Sequence, residues 1–133
     1  MPDAESSIVA AGYKRGLELA RAGAFFEAHE AFEEAWRACA DAERDFFQGL
    51  VHVVVSAYQR ERGRPVAAER QRVKAIRRLT PYLPAHRGLD IARVVGRLER
   101  AESDPREDLV EADAQPPVAV EEEQQPEGDE CRA

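Results

Sequence analysis

In the run FFEAHEAFEEAWR, Phe25 to Arg37, apolar and polar residues alternate with the 3.6-residue period of an α-helix. With Phe25 at zero and about 100° per residue, Phe25, Ala28, Phe32, Ala35 and Trp36 fall on one side. Glu27, Glu30, Glu34 and Arg37 fall opposite. Phe26 lies among the polar residues, and His29 and Glu33 occupy the border beside Trp36. The same period recurs in four more segments. Helices are predicted over about 7–22, 25–40, 43–62, 65 to the TPYLP run, and 90–101. Ser7 and Asp90 suit N-caps, Gly23 suits a left-handed C′ position, and Pro65 suits a first helical turn. Leu89 and Val94 have the spacing of a hydrophobic staple across Asp90.

The run LVHVVV is β-branched and fits a strand as well as a helix. No other stretch alternates to pair with it, so it reads as a helix buried on most of its circumference. Short connections imply antiparallel hairpins. The spacing Gly23, Phe25, Ala28, Phe32, Ala35 recurs 40 residues on as Gly63, Pro65, Ala68, Arg72, Ala75. The alanines let paired helices approach closely. The first copy is similar to the second helix of a tetratricopeptide unit, but the period exceeds that repeat's roughly 34 residues. The expected fold is therefore all-α: about five helices in antiparallel hairpins forming a single compact bundle.

Charge divides the chain. Residues 102–133 hold twelve acids and two bases, while residues 1–101 hold fourteen acids and seventeen bases. The overall charge of −7 thus joins a mildly basic body to an acidic tail. The tail has no large apolar residue after Val120 and carries several prolines, which predicts disorder over 102–133 and a helical domain over 1–101. Truncation at Ser103 is expected to leave stability nearly unchanged. Cys39 and Cys131 form no disulfide framework, and with no leader-like or membrane-length apolar run this points to a cytoplasmic protein with no membrane partner.

The opening run raises the question of chemistry. It is not a zinc HExxH motif, because Glu33 stands where the second histidine would be. Gln48, His52, Ser56 and Gln59 line a polar stripe on the otherwise apolar third helix. If helices two and three pack antiparallel, His29 and Glu33 would face Gln48 and His52. Two readings follow: a hydrogen-bonded seam that fixes helix register, or a functional pocket, with metal binding as one form of it.

GAFFEAHEAFEEAWR, then DFFQGLVHVVVSAYQRERGRPVAA and LTPYLPAHRGLDIA, resemble the bacterial and archaeal domain-of-unknown-function family numbered 309 over about 13–95. Its members show F-F/Y-E-A-H-E-x-x-E-x-x-W, an F-x-Q-G-L helix and a P-Y-x-P…G-I/L-D element. The resemblance implies a compact helical domain and brings no established activity. It carries over Glu27, His29, Glu30, Glu33 and Trp36, with Gln48 and Gly49. His52 stands where members commonly have Gln, and Tyr58 where a His is expected, which weakens a metal site.

Between Arg60 and Arg78 lie eight bases and two acids. Arg70, Lys74, Arg77 and Arg78 are expected to point away from the core as an anion-binding patch whose binding would be salt-dependent. No stacking platform or Gly-rich phosphate loop accompanies it, which disfavours nucleic acid as the partner. The sequence thus predicts a non-catalytic module that binds a protein or anionic partner. The alternative is a metal-binding protein or enzyme using His29, Glu33, Gln48 and His52. No cofactor is specified by the residues.

Overall fold

Helices occupy the periodic segments and stop at the punctuating residues. The computed structural model describes residues 4–112. Four long helices come first: α1 (Ala4–Arg21), α2 (Phe25–Ala38), α3 (Arg44–Glu61) and α4 (Pro65–Leu79). Two single-turn 3-10 segments, Asp41–Glu43 and Thr80–Tyr82, join α2 to α3 and end α4. A two-residue hairpin, β1 (Ala85–His86) with β2 (Leu89–Asp90), leads into α5 (Ile91–Glu99), and α6 (Pro105–Asp108) follows. Against the expected segments, α1 starts earlier and α2 ends two residues sooner. The hairpin and α6 are additions. The β-branched run is helical, as its lack of a strand partner required.

The 40-residue spacing is a repeated turn. Gly23 and Gly63 take φ of +82° and +71°, where a Cβ would be strained. In each, the N–H of the next residue reaches back five positions: Ala24 to the Leu19 carbonyl and Arg64 to the Gln59 carbonyl, both 2.9 Å. This is the Schellman closure, and it reverses the chain into the α1–α2 and α3–α4 hairpins. Along the array, α1 packs on α2, α2 on α3 and α3 on α4. Ala28, Ala35, Ala68 and Ala75 are all buried at these contacts. Asp90 caps α5 by accepting the Arg93 N–H at 2.9 Å, and Leu89 and Val94 beside it are buried.

The core is aromatic and aliphatic: Phe32, Phe46, Phe47, Leu50, Leu79, Ile91 and Leu98 are fully enclosed. Glycines on α1 and α3 set the closest approaches. A Cβ on Gly16 would lie 2.3 Å from the Phe32 ring, and one on Gly49 2.6 Å from Leu79. Trp36, expected in the core, is only partly buried at its edge, with the Arg44 guanidinium 4.3 Å above its ring.

The body continues past Ala101, so the expected boundary there moves. Residues 102–112 cross the ends of α1, α3 and α5 as a strap. Ser103, Pro105, Asp108 and Leu109 are buried. Asp108 Oδ1 accepts from Arg97 Nε at 2.9 Å and its Oδ2 from the Asp104 N–H at 2.7 Å. Arg21 Nε donates to the Leu109 carbonyl at 2.6 Å. Beyond it, Asp90 N–H donates to Val110 O and Ala112 N–H to Gly88 O, with Leu89 bridged to Glu111, so the strap lies along the hairpin. Its acidity does not mark a solvated tail: a carboxylate paired with arginine and a backbone N–H is a structural group. The remainder of the expected tail, 113–133, lies outside the described residues.

Candidate functional site

The polar stripe of α3 exists, but it divides between two grooves. His52 Nδ1–H donates to Gln71 Oε1 of α4 at 2.6 Å. One turn on, Ser56 Oγ–H donates to the Ala68 carbonyl of α4 at 2.9 Å. The other end of the stripe, Gln59, turns toward α2, where it lines a cavity with Phe25, Phe26, His29, Val55 and Tyr58. Gln48 is partly buried. Helix α3 is rotated so that Val55 and Tyr58 meet α2, while His52 and Ser56 meet α4. The expected quartet is therefore not assembled: no hydrogen bond among the described residues joins His29 or Glu33 to Gln48 or His52. Two cavities lined by His29 contain neither Gln48 nor His52.

His29 instead belongs to α2's own border. Its Nε2 lies 3.4 Å from Glu33 Oε2, and Glu33 Oε1 in turn pairs with Arg37 at 3.3 Å. Its ring lies tilted against that of Phe26, 5.6 Å between centroids, and Phe26 lies 5.7 Å from Tyr58. Phe26, the apolar residue on the polar face, is thus partly covered by α3. Glu27, Glu30 and Glu34 are exposed and line an acidic groove with His29, Glu33, Arg15 and Arg37. Among the described residues, no group of three or more His, Cys, Asp or Glu side chains is placed to hold a metal ion.

The helix α4 patch resolves residue by residue. Arg70, Lys74 and Arg77 are exposed, and none forms an ion pair among the described residues. Arg78 is engaged, donating to Asp45 of α3 at 2.7 Å. Two valines share the outer face, Val66 at 65 % and Val73 at 45 % exposure. Residues 66, 70, 73 and 77 follow the i, i+4, i+7, i+11 spacing of one helical stripe. Arg72 turns inward, forks onto Glu69 and donates to the Leu98 carbonyl at 2.6 Å. There it satisfies a carbonyl at the end of α5.

Glu43, which the sequence did not single out, is an ion-pair hub. His86 Nε2 approaches at 3.0 Å and Arg87 Nε donates at 2.7 Å. Burial alone would raise its pKa, but the hydrogen bonds from Arg87 and His86 hold it below the usual carboxylate range. Tyr13, packed on Phe46 and Phe47, donates its hydroxyl to the Arg87 carbonyl at 3.0 Å. Burial pushes its pKa up to about 12.

His52 supplies a pH test of the α3–α4 seam. Burial pushes its pKa down, opposed by the Gln71 bond and reinforced by Lys74 and Arg78. A depressed histidine leaves the unfolded chain holding more protons than the native one as pH falls below the ordinary imidazole value of about 6.5. Its contribution is complete above that pH and is lost as pH falls toward the lower native value. Urea midpoints should decline in the wild type as pH falls below about 6.5. His52→Gln, which can keep a bond to Gln71, should flatten that slope; an unchanged slope would place the titration elsewhere.

No curated protein and no solved structure matches the chain. Among the described residues, no helix is long and apolar enough to cross a membrane. The segment that carries the Phe-Glu-Ala-His run, the Gln48–Gly49 pair and the turns of both helical hairpins, residues 13–71, matches the family model "Domain of unknown function (DUF309)", the family that the sequence motifs resemble.

Proposed function

We propose that the protein is a non-catalytic binding module whose α4 face takes an acidic, partly apolar segment of a partner protein. The observation that carries this reading is the exposed stripe of Val66, Arg70, Val73 and Arg77, with Lys74 beside it. Helix α4 is fixed from behind by the seam to α3 and by Arg72 to α5, so its outer face is presented on a rigid element. Alternating cations and valines suit a partner that offers carboxylates and apolar side chains together, as an acidic amphipathic helix does. The cations would steer encounter, and the valines would supply apolar burial.

The test uses a labelled, acidic, leucine-containing helical peptide and fluorescence anisotropy with the full chain. Binding is expected at about 50 mM salt and should weaken by roughly tenfold or more near 200 mM, as the Debye length shortens. Arg70→Glu with Lys74→Glu and Arg77→Glu should abolish it. Val66→Ser with Val73→Ser should weaken it severalfold while leaving much of the salt dependence. Undiminished binding by the charge-reversed variant, or preference for a nucleic-acid duplex over the peptide, would overturn the reading.

A further inference from the structure

The exposed cations of the body differ in what surrounds them. Arg15 and Arg37 line the groove of Glu27, Glu30, Glu33 and Glu34. Lys14 and Arg21 line a cavity with Glu18 and Glu111. Arg60 and Arg106 line another with Glu61 and Asp104. Arg93 lies 3.5 Å from Asp108 and Arg100 3.1 Å from Glu102. Arg62 covers the Tyr58 ring and donates to its hydroxyl. Helix α4 stands apart. Its one acid is Glu69, and Arg72 forks onto both oxygens of that carboxylate. Arg70, Lys74 and Arg77 are exposed with no ion pair among the described residues, and Val66 and Val73 stand open beside them. This face has both charge to pair and apolar surface to cover.

The same chain carries a segment of complementary composition. Residues 113–133 hold seven acids and one base. Val118 and Val120 immediately precede Glu121, Glu122 and Glu123, and Glu127, Asp129 and Glu130 follow. Carboxylates beside short aliphatic side chains are the chemistry that the α4 stripe suits. The point of attachment is also favourable. The Ala112 N–H donates to the Gly88 carbonyl at 2.7 Å, in the hairpin that follows the 3-10 end of α4. Nine residues lead from Ala112 to Glu121. They give up to about 30 Å of chain, whereas packed helices lie only about 8–10 Å apart.

We propose, building on the binding role of the α4 face, that residues 118–130 of the same chain occupy that face and hold it against outside partners. The carboxylates meet Arg70, Lys74 and Arg77, and Val118 and Val120 cover Val66 and Val73. Each exposed pair is weak and screened by salt. Attachment compensates, because a tethered segment acts at an effective concentration on the order of 1 mM. A contact with a Kd of about 0.1–1 mM between separate molecules is then closed roughly half to nine-tenths of the time. An outside partner finds only the remainder open, so its apparent affinity falls about twofold to tenfold. The device sets a threshold: strong partners displace the tail and weak ones do not.

The test compares two full-length chains: the wild type, and one carrying Glu121→Gln, Glu122→Gln, Glu123→Gln, Glu127→Gln, Asp129→Asn and Glu130→Gln together. At about 50 mM salt the neutralised chain should bind the labelled acidic, leucine-containing helical peptide about twofold to tenfold more tightly. The ratio should fall toward one near 200 mM. Val118→Ser with Val120→Ser should give a smaller gain. Equal peptide affinity in the two chains would overturn the inhibition while leaving the α4 binding role intact. The contact itself is read without any peptide, from the methyl resonances of Val66 and Val73. These should differ between the wild type and the neutralised chain, and diluting the protein should not change the difference, since the contact is intramolecular. Identical methyl resonances would overturn the proposal whether or not the peptide binds. A difference that vanishes on dilution would place the tail on a neighbouring molecule and overturn it equally. Failure of both chains to bind the peptide would overturn the partner reading, and the inhibitory half of the proposal with it.

Discussion

Phe32→Ala should cost roughly 3–5 kcal/mol of unfolding free energy, the range for emptying a buried aromatic site. Phe32 is fully enclosed, and its ring lies directly against the backbone of Gly16, where even a methyl group would intrude to 2.3 Å. Helix α1 can move in to fill the void only by shifting as a whole, and its other close approach, Gly12 against the Ala31 carbonyl, resists that. A loss of this size is a large share of the 5–15 kcal/mol typical of a domain. The check is a urea melt of the variant beside Trp36→Ala. Trp36 is only partly buried, so its loss should cost less, below the 3–5 kcal/mol that a core position would give. Gly16→Ala gives an independent measure. Alone it should destabilise by about 1–3 kcal/mol through overpacking. In the Phe32→Ala background the added methyl enters the void, so the two effects should be far from additive. Additive losses would mean that the ring and the glycine are not in contact.

The second large effect concerns the strap. Ending the chain at Ala101 should destabilise it by at least about 3 kcal/mol, because it removes the fully buried Leu109 and Asp108 and the buried Pro105 and exposes the surfaces they cover. Asp108→Ala isolates the ionic part. It strips Arg97 of its closest carboxylate partner, at 2.9 Å, and leaves the Asp104 N–H without its acceptor. Breaking a buried pair from one side costs roughly 3–5 kcal/mol. The lower end is expected, since Glu107 at 3.5 Å and Glu102 at 3.9 Å remain near Arg97. Asp108→Asn, which keeps the shape and an acceptor oxygen, should recover part of the loss. Wild-type melting of the chain ended at Ala101 would show that the strap only rests on the body.

Much of the fold is local in origin, and that part was legible. Periodicity placed α2, α3, α4 and α5 because one apolar face per helix is what burial demands. Gly23 and Gly63 announced both hairpin turns, because only a residue without a Cβ takes a left-handed conformation cheaply. Asp104 before Pro105 is the same kind of start signal, an N-cap followed by a proline at N1. The acidity of the segment obscures it, although Leu109, fully buried in the structure, stands just beyond.

The phase of α3 was not legible. A stripe one or two residues wide on a nearly all-apolar helix can face either neighbour, and a rotation of about one residue step sends His52 to Gln71 instead of His29. The packing of Gly49 against Leu79 and of Phe26 against Tyr58, with the buried Ser56 bond to α4, fixes that rotation. The same holds for charge. The sequence counts eight bases from Arg60 to Arg78 but treats them alike. Tertiary contacts turn Arg72 toward the end of α5 and Arg78 toward Asp45, and leave Arg70, Lys74 and Arg77 outward. Local sequence determined where helices begin, end and reverse, because those choices depend on a few adjacent residues. Which side chains meet across the grooves depends on how whole helices are rotated against one another, and that was decided by the close contacts of glycines and aromatics far apart in the chain.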